Sequence, residues 1–208
     1  MKHELQHIIS GKSKVKYGAN IQKATRYLRG SQSTSKMAED YKHFKRQETE
    51  TLIKYIDKKS LWRLDINIDN YVSEGAEQKV YLKGGKNVIK LNDAIYYASW
   101  LDYFNNLLLH NYFFPDTAYR LLGFHNPTAT LYAVVQQPFV KATEKTDLQK
   151  VNQFLQKNGF VNTRNCDYYN MDLGIILEDL HDENVLTENG VLQFIDTVFF
   201  IKGNFYEP

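Results

Sequence analysis

This 208-residue chain has a single cysteine, no histidine–cysteine cluster and no long apolar run. The single cysteine, Cys166, cannot form an internal disulfide, and no apolar run reaches the about eighteen residues of a membrane-spanning helix. No secretory apolar segment follows Met1, so we expect a cytoplasmic location and no membrane partner. Five histidines show no metal-ligand spacing with cysteine or acidic residues: His3, His7, His43, His110 and His125. These absences argue against a secreted disulfide-rich domain, a membrane-spanning protein and a zinc site.

Charge is distributed unevenly along the chain. Residues 1–70 hold 15 Lys and Arg against 8 Asp and Glu, a net charge of +7, which leaves −5 for the rest of a chain totalling +2. This basic region predicts either a solvated basic face, the commoner outcome, or a phosphate-binding patch for nucleic acid. The candidate residues for such a patch are Lys12, Lys14, Lys16, Lys23, Arg26 and Arg29.

The most informative residues are Asp179, Asn184 and Asp196. Asp179 and Asn184 are the ends of the segment Asp-Leu-His-Asp-Glu-Asn, and Asp196 follows twelve residues after Asn184. Phosphoryl transfer needs a carboxylate beside the acceptor hydroxyl, together with an amide oxygen and a second carboxylate that hold magnesium on the triphosphate. Asp179 suits the first role, and Asn184 and Asp196 suit the second. Each residue alone is a weak signal, because charged, asparagine-rich loops are usually solvated turns.

A β-hairpin is predicted between Asn184 and Asp196. Val185-Leu186 begins one strand, and Val191 to Ile195 forms the returning strand. The intervening Asn189-Gly190 supplies the positive φ angles that a tight hairpin turn requires. We therefore expect the hairpin to bring Asp196 back beside Asn184.

A candidate phosphate-binding loop precedes these residues in the chain. When Val80 is aligned with the valine of G-x-G-x-x-G-x-V, the three glycine positions hold Ser73, Gly75 and Gln78. One glycine is therefore retained. The small residues Gly75 and Ala76 still allow the backbone to approach a phosphate closely.

Lys90 is the predicted phosphate-binding cation. Two strands surround the turn at Gly84-Gly85, and the second contains Val88-Ile89-Lys90, which is similar to the V-A-I-K pattern. An isolated lysine of this kind is usually a surface residue of an edge strand. Its position after the candidate loop instead favours contact with the α- and β-phosphates.

The segment from about Tyr71 to Phe199 resembles a protein-kinase-like domain, and the chain resembles the kinase domain found in polyvalent proteins of bacterial mobile elements. This resemblance implies ATP and magnesium as cofactors and a serine, threonine or tyrosine as the acceptor. The Leu180-His181 pair is also similar to aminoglycoside phosphotransferases and other small-molecule kinases, so the substrate class stays open between protein and small molecule. We assign His181 a structural role in the loop.

The resemblance also implies an acidic partner for Lys90 on the following helix. No glutamate occurs from Leu91 to Thr143. We expect Asn92 or Asp93 to cap that helix and Asp102, in mid-helix, to pair with Lys90. Either Asp102 replaces the glutamate, in a domain that closes differently, or the ion pair is missing.

Two further regions complete the predicted domain. The apolar stretch from Thr130 to Phe139 is predicted to connect two lobes, with adenine bound by backbone groups near Gln136 and Gln137, although most such stretches are simply core strands. Downstream, one helix is expected from Asp147 to Lys157, ended by Asn158-Gly159. Only twelve residues follow Asp196, too few for an activation segment.

The sequence therefore predicts an α+β, minimal two-lobed kinase-like fold with a five-stranded antiparallel sheet in the N-lobe. A mainly helical extension at 1–70, with a helix from about Ala38 to Lys58, packs on an N-lobe at 71–136, and a short C-lobe covers 137–208. The predicted activity is ATP- and Mg-dependent phosphotransfer to a hydroxyl. The alternatives are a pseudokinase that binds nucleotide or protein without turnover, and a nucleic-acid-binding accessory module.

Overall fold

The computed structural model describes residues 1–31, 41–64, 66, 71–74 and 78–207. Within these residues the helices are α1 Lys2–Ser10, α2 Gly18–Ser31, α3 Tyr41–Lys59, α4 Trp100–Phe113 and α5 Leu148–Lys157. The strands are β1 Tyr71–Glu74, β2 Gln78–Lys83, β3 Asn87–Asn92, β4 Arg120–His125, β5 Tyr132–Pro138, β6 Val161–Arg164, β7 Asp167–Asn170, β8 Ile175–Glu178, β9 Val185–Glu188, β10 Val191–Phe194 and β11 Val198–Ile201. Two 3-10 turns lie at Pro115–Thr117 and Gly203–Tyr206.

The larger sheet has the predicted five antiparallel strands, in the order β1-β2-β3-β5-β4. Its central hairpin, β2–β3, turns at Gly84 and Gly85, whose φ angles are +60° and +69°. Glycine adopts this left-handed conformation without a steric penalty, which explains why the chain reverses there. The predicted hairpin around these two glycines is confirmed.

The hairpin β9–β10 is also formed as predicted. Glu188 pairs with Val191, and the two residues between them, Asn189 and Gly190, have φ angles of +51° and +77°. A two-residue turn with two positive φ angles matches the right-handed twist of the flanking strands. The hairpin therefore returns the chain to Asn184, whose carbonyl oxygen accepts a 2.9 Å hydrogen bond from the N–H of Ile195.

A second sheet, with four antiparallel strands in the order β11-β8-β7-β6, was not predicted. Each of its strands has only four residues, and every residue of β6 is exposed. Such short segments give little apolar alternation, so their pairing depends on contacts with distant strands such as Ile175 with Ile201. The helix predicted from Asp147 to Lys157 is confirmed as α5, with Asp147 as its N-cap and Gly159 in the left-handed conformation.

The start of α4 corrects one prediction. Asn92 and Asp93 do not cap this helix, because their side chains instead accept hydrogen bonds from the N–H groups of Ala94 and Ile95 in local turns. The N-cap is Ser99, whose hydroxyl oxygen accepts the Asp102 N–H at 3.0 Å. The helix therefore begins later than expected, and Asp102 lies in its first turn.

Helix α4 is buried around most of its circumference. It contacts α1, α2 and α3 as well as β11, so it lies between the N-terminal helices and the four-stranded sheet. A helix surrounded in this way needs apolar residues on all sides, and Trp100, Phe104 and Leu108 are each almost fully buried. Phe113 stacks on Phe199 of β11 with ring centroids 5.4 Å apart.

The N-terminal helices belong to the same hydrophobic core. Leu5, Leu28 and Ile56 are buried in one cluster with residues of α4 and of the four-stranded sheet. Helix α2 also contacts strand β4. Helix α3 buries Leu52, Tyr55 and Ile56, whereas Phe44 is 38% exposed. The expected first residues of α3, 38–40, lie outside the described residues, and the boundary at residue 70 stays a prediction.

Among the described residues, no helix combines the length and the apolar character needed to cross a bilayer.

Candidate active site

The predicted residues Val80 and Lys90 form a row with Val135 on one face of the five-stranded sheet. Val80 in β2 lies opposite Lys90 in β3, and Lys90 lies opposite Val135 in β5. Directly opposed residues of antiparallel strands project on the same side, so the row is set by strand register. Lys90 is therefore flanked by apolar residues, and its side chain is only 5% exposed.

The buried ammonium group of Lys90 contacts the segment that follows β10. Its Nζ lies 3.5 Å from Oδ2 of Asp196 and donates a 2.9 Å hydrogen bond to the carbonyl oxygen of Ile195. The hydroxyl of Tyr119 lies 3.4 Å from the same nitrogen. A buried cation requires such compensation, and here a carboxylate and two oxygen dipoles supply it.

Asp102 does not pair with Lys90, which corrects the predicted ion pair. In the part of the chain that the structure describes, the Lys90 ion pair is with Asp196, and the carboxylate of Asp102 accepts a 2.7 Å hydrogen bond from Ser99 Oγ. The physical reason is the late start of α4: Asp102 is close enough to the helix terminus to bond its own N-cap residue. Of the two predicted alternatives, the structure therefore shows the one in which the ion pair between Lys90 and Asp102 is missing.

Gln78 makes a second contact with the same carboxylate. Its Nε2 donates to Oδ2 of Asp196, the oxygen that also faces Lys90. Gln78 begins β2 and lies two residues before Val80, so both side chains are on the same face of the sheet. The residue at the third glycine position of the aligned loop therefore reaches across to a predicted magnesium ligand.

Tyr119 anchors the ion pair from a buried position. Its hydroxyl donates a 2.7 Å hydrogen bond to the carbonyl oxygen of Ile195. Burial, with a further contribution from the negative charge of Asp196, raises the pKa of Tyr119 well above its ordinary value, so the hydroxyl keeps its proton. Asn111 of α4 fixes its backbone by accepting from the Tyr119 N–H at 2.7 Å and donating to its carbonyl at 2.8 Å.

His110 connects helix α4 to the residue after Asp196. Its Nδ1 lies 2.7 Å from Thr197 Oγ1, and its Nε2 lies 3.1 Å from the carbonyl oxygen of Thr117. Burial lowers the pKa of His110 to about 3, so the ring is neutral at physiological pH. The partners assign the proton to Nε2, which donates to Thr117, while Nδ1 accepts from the Thr197 hydroxyl.

Asp179 has an unusual backbone conformation and an exposed carboxylate. Its φ angle is +66°, in the left-handed region that few non-glycine residues occupy. Asp167 Oδ1 holds this conformation by accepting the Asp179 N–H at 3.1 Å. The Asp179 side chain is 57% exposed, as a group that meets a substrate must be. Strained backbone of this kind is concentrated at functional sites.

The side chain of Asn184 orients Asp179. Its Nδ2 donates to the carbonyl oxygen of Asp179 at 2.8 Å and to Oδ2 at 3.0 Å. His181 supports the same loop, since its Nδ1 accepts the Glu183 N–H at 3.3 Å and its Nε2 lies 3.2 Å from Asp179 Oδ1. These contacts agree with the structural role expected for His181.

Asn184 and Asp196 are adjacent, as the hairpin prediction requires. The carbonyl oxygen of Asn184 accepts from the N–H groups of Ile195 and Asp196, at 2.9 and 3.3 Å. The Asn184 Oδ1 and the Asp196 Oδ1 accept no hydrogen bond within the described residues. Two free oxygens of this chemical type fit magnesium, a hard cation that binds few protein ligands and completes its shell with phosphate and water.

A metal site built from protein ligands alone is absent from the described residues. They contain no group of three or more histidine, cysteine, aspartate or glutamate side chains that could hold a metal ion. Any magnesium at Asn184 and Asp196 would therefore depend on the phosphates of a bound nucleotide.

The remaining predicted site residues lie in β1 and β5 or outside the described part. Ser73 belongs to β1, but its side chain is not described, and Gly75 and Ala76 lie outside the described residues. Gln136 donates to Asn87 Oδ1, and the buried Gln137 donates to the carbonyl oxygen of Thr117 at 2.7 Å. Their backbone role in adenine binding stays a prediction.

The surroundings of Asp179 are acidic. Burial and then the negative charge of Asp167 raise the pKa of Glu178, while Lys202 acts in the opposite direction. Burial likewise raises the pKa of Cys166, followed by the effects of Asp167, Asp179 and Asp182. Cys166 therefore remains a neutral thiol, which argues against a nucleophilic cysteine.

The chain is similar in sequence to a known protein family. Residues 45–203 match the model of the family described as Serine/Threonine/Tyrosine Kinase found in polyvalent proteins. The chain belongs to this family. Membership in a kinase family indicates a kinase-like function in general terms, with the nucleotide and metal use typical of kinases. No curated protein matches the chain.

Several contacts of this polyvalent-protein kinase domain were missed by sequence reasoning. Tyr119, His110 and Thr197 were not identified, and Gln78 was considered only as a lost glycine. Their partners lie far away in sequence, as in Tyr119 with Ile195 or His110 with Thr197. The signal available for His110 was its position directly after the apolar run Leu107-Leu108-Leu109 of a buried helix, where a polar side chain needs a partner.

Proposed function

We propose that this chain is an ATP- and Mg-dependent phosphotransferase with a minimal two-lobed kinase-like fold, which transfers the γ-phosphate to a hydroxyl group. The observation that carries this proposal is the convergence on Asp196. Lys90 reaches Asp196 from the five-stranded sheet, and Asn184 holds the Asp196 backbone from the hairpin. Family membership independently supports a kinase-like function.

Asp179 is the proposed catalytic base. It accepts the proton of the acceptor hydroxyl while the acceptor oxygen forms a bond to the γ-phosphorus and the bond from that phosphorus to the ADP oxygen breaks. The Asn184 amide and the Asp167 carboxylate keep Asp179 in the required orientation. Its exposure leaves room for a hydroxyl group to approach.

Lys90 is the proposed phosphate clamp. In the absence of nucleotide its charge is compensated by Asp196 and the Ile195 carbonyl. Oxygens of the α- and β-phosphates are stronger partners for an ammonium group than a carbonyl, so Lys90 exchanges part of this network for the nucleotide. Asn184 Oδ1 and Asp196 would hold magnesium, which neutralises charge on the phosphates when bound.

Binding without turnover is the second candidate, and two observations favour it. Gln78 and Lys90 both occupy Oδ2 of Asp196, so half of the predicted magnesium ligand is already engaged. The Lys90–Asp102 pair is also missing. In a pseudokinase these contacts would persist, and the fold would bind nucleotide or a protein partner without transferring phosphate.

A nucleic-acid role receives no support from the arrangement of the basic residues. Lys23 lines a cavity beside Lys59 and strand β4, whereas Lys12 and Arg29 line a separate cavity beside α1. Arg26 donates to the carbonyl oxygen of Gly11. Lys23 therefore lines a different cavity from Lys12 and Arg29, so these three cations do not share one binding site.

The test is titration of the purified protein with ATP and Mg²⁺ by calorimetry and thermal shift, followed by measurement of γ-phosphate transfer to the protein itself and to hydroxyl-bearing peptides and small molecules. We expect Mg-dependent stabilisation that is lost in Lys90→Ala and Asp196→Ala and kept in Lys83→Ala, an exposed lysine of β2. Transfer that requires Asp179 supports the enzyme, and tight binding without transfer supports the second candidate. A folded protein that binds no ATP at millimolar concentration would refute the enzyme and the nucleotide-binding form of the second candidate, and would leave only the protein-binding form.

A further inference from the structure

A separate basic cavity lies between helix α1, the end of helix α2 and the turn at Gly203–Tyr206. Its volume is about 470 Å³, within the range of small-molecule pockets. Its polar lining residues are His3, Gln6, His7, Ser10, Lys12, Arg29 and Tyr206. No carboxylate is among its lining residues in the described part of the chain, and it shares no residue with the candidate active site.

The two permanent cations of this cavity have no acidic partner among the described residues. Arg29 donates to neutral acceptors, the carbonyl oxygen of Ile9 at 2.5 Å and Asn105 Oδ1 at 3.2 Å. Lys12 is exposed, and its ammonium group has no bonding partner in the described residues. A partly buried guanidinium without a carboxylate favours an anion from outside the chain.

The Lys12 ammonium group is not needed to cap the C-terminus of helix α1. Cations near a helix C-terminus commonly satisfy its last carbonyl groups. Here the carbonyl oxygen of His7 accepts from the N–H groups of Lys12 and Ser13, and that of Ile8 accepts from Gly11. Arg29 takes Ile9. The helix end is therefore satisfied by backbone and by Arg29, and the Lys12 ammonium is left for another partner.

The walls of the cavity are held in place by contacts between distant segments. Gln6 Nε2 donates to the carbonyl oxygen of Phe205 at 2.6 Å, which ties α1 to the turn that carries Tyr206. Asp102 is close enough to raise the pKa of Tyr206, although burial is the larger cause and Arg29 acts in the opposite direction. Asp102 does not line the cavity, and its carboxylate is bonded to Ser99.

We propose that this cavity binds the phosphate group of a small phosphate monoester. Arg29 presents a planar fork of donors, and Lys12 adds a compact charge, the combination that recognises phosphate oxygens. His3 and His7, whose ring centroids lie 4.4 Å apart, and the exposed ring of Tyr206 line the remaining space for the organic part. The site is independent of the proposed phosphotransfer.

The test uses ribose 5-phosphate as the probe, with ribose, inorganic phosphate and a short single-stranded oligonucleotide for comparison, in Mg-free buffer. Binding is followed by calorimetry and by the NMR signals of the His3 and His7 rings in the full chain. We expect ribose 5-phosphate to shift both histidines and to bind more tightly than inorganic phosphate, with ribose inactive. Lys12→Ala should weaken binding about tenfold, the loss of one charge-assisted contact, and Lys14→Ala should not.

Lys12 and Lys14 are both exposed, so neither substitution threatens folding, and the pair separates a defined site from diffuse attraction. Equal losses in the two variants, or unshifted histidines, would overturn the proposal. If inorganic phosphate binds as tightly as ribose 5-phosphate, the organic part of the ester contributes nothing to binding. That result would overturn the proposal that the ligand is a phosphate monoester. An oligonucleotide that binds more tightly through Lys12 would overturn it in favour of nucleic acid.

Discussion

The ammonium nitrogen of Lys90 lies 3.5 Å from Oδ2 of Asp196, so the strand predicted to bind phosphate meets the residue predicted to bind magnesium. The pair is mostly buried, with side-chain exposures of 5% for Lys90 and 25% for Asp196. Removing one partner of such a pair leaves an uncompensated charge. A substitution at this contact is therefore expected to change stability as well as the proposed nucleotide binding.

Lys90→Ala should lower both nucleotide affinity and stability. We expect ATP affinity to fall at least about tenfold, because a charge-assisted contact to phosphate is lost. The free energy of unfolding should fall by about 2–3 kcal/mol, because Asp196 loses its counter-charge. Calorimetry and urea unfolding measure the two effects. Equal losses in the exposed-lysine variant Lys83→Ala would contradict this assignment.

Gln78→Ala should increase Mg-dependent ATP affinity. The amide of Gln78 competes for the carboxylate oxygen of Asp196, and a hydrogen bond to a charged group contributes about 1.5–3 kcal/mol. Its removal should tighten ATP·Mg²⁺ binding by about three- to tenfold and leave Mg-free binding unchanged. Gln156→Ala, an exposed glutamine of α5, is the control. Weaker binding in Gln78→Ala would instead assign Gln78 a direct role in holding nucleotide.

Asp179→Asn should abolish phosphate transfer while ATP binding is retained. Loss of a general base typically lowers the rate about 10²–10⁴-fold. Asparagine also tolerates the left-handed backbone of this position, where φ is +66°, so the loop should keep its shape. Single-turnover transfer and ATP titration are the measurements. Undiminished transfer in the variant would remove Asp179 from the mechanism.

Tyr119→Phe should destabilise the protein and weaken nucleotide binding. The change deletes the hydroxyl that donates to Ile195 and contacts Lys90, at a cost of about 1–2 kcal/mol in the free energy of unfolding. Because Lys90 loses one of its positioning contacts, ATP affinity should fall less than in Lys90→Ala. Tyr132→Phe, on the neighbouring strand β5, is the matched control. A loss of stability without any change in affinity would limit Tyr119 to a structural role.

His110 should make stability depend on pH below neutrality. Its pKa is lowered by burial from 6.5 to about 3, so the unfolded chain binds a proton before the folded chain does. His110 therefore makes its full contribution to the free energy of unfolding above about pH 6.5. Between pH 6.5 and pH 3 this contribution falls by at most about 1.4 kcal/mol per pH unit. Urea unfolding at several pH values gives the free energy of unfolding as a function of pH. The slope of this pH dependence should be smaller in His110→Gln than in His125→Gln. Equal slopes would contradict the assignment.

Local residue chemistry explains which elements were predictable. The hairpins at Gly84-Gly85 and Asn189-Gly190 were predicted because these residues favour positive φ, and α5 because Asp147 and Gly159 provide ordinary caps. The adjacency of Asn184 and Asp196 followed from the second hairpin alone. Each of these predictions depended on contacts between residues close in sequence.

The errors arose where local signals competed with distant contacts. Asn92 and Asp93 are good helix caps in isolation, but they form tight turns here, and Ser99 caps α4 with Glu48 accepting the Trp100 N–H at 2.6 Å. The four-stranded sheet was missed because its strands are short and partly exposed. Both outcomes depend on which segment supplies the partner, and local pattern does not contain that information.

The sequence by itself determined the kinase-like family, the α+β class, the five-stranded sheet and the positions of Lys90, Asp179, Asn184 and Asp196. The sheet and the hairpins follow from alternation and turn chemistry, which act over a few residues, whereas the family and the four site residues come from the resemblance to a kinase domain. Only the tertiary structure decided that Lys90 pairs with Asp196 and not with Asp102, that Gln78 reaches the same carboxylate, and that Lys12 and Arg29 face one cavity. The reason is physical: a buried charge takes whichever partner the packing of distant elements brings within reach.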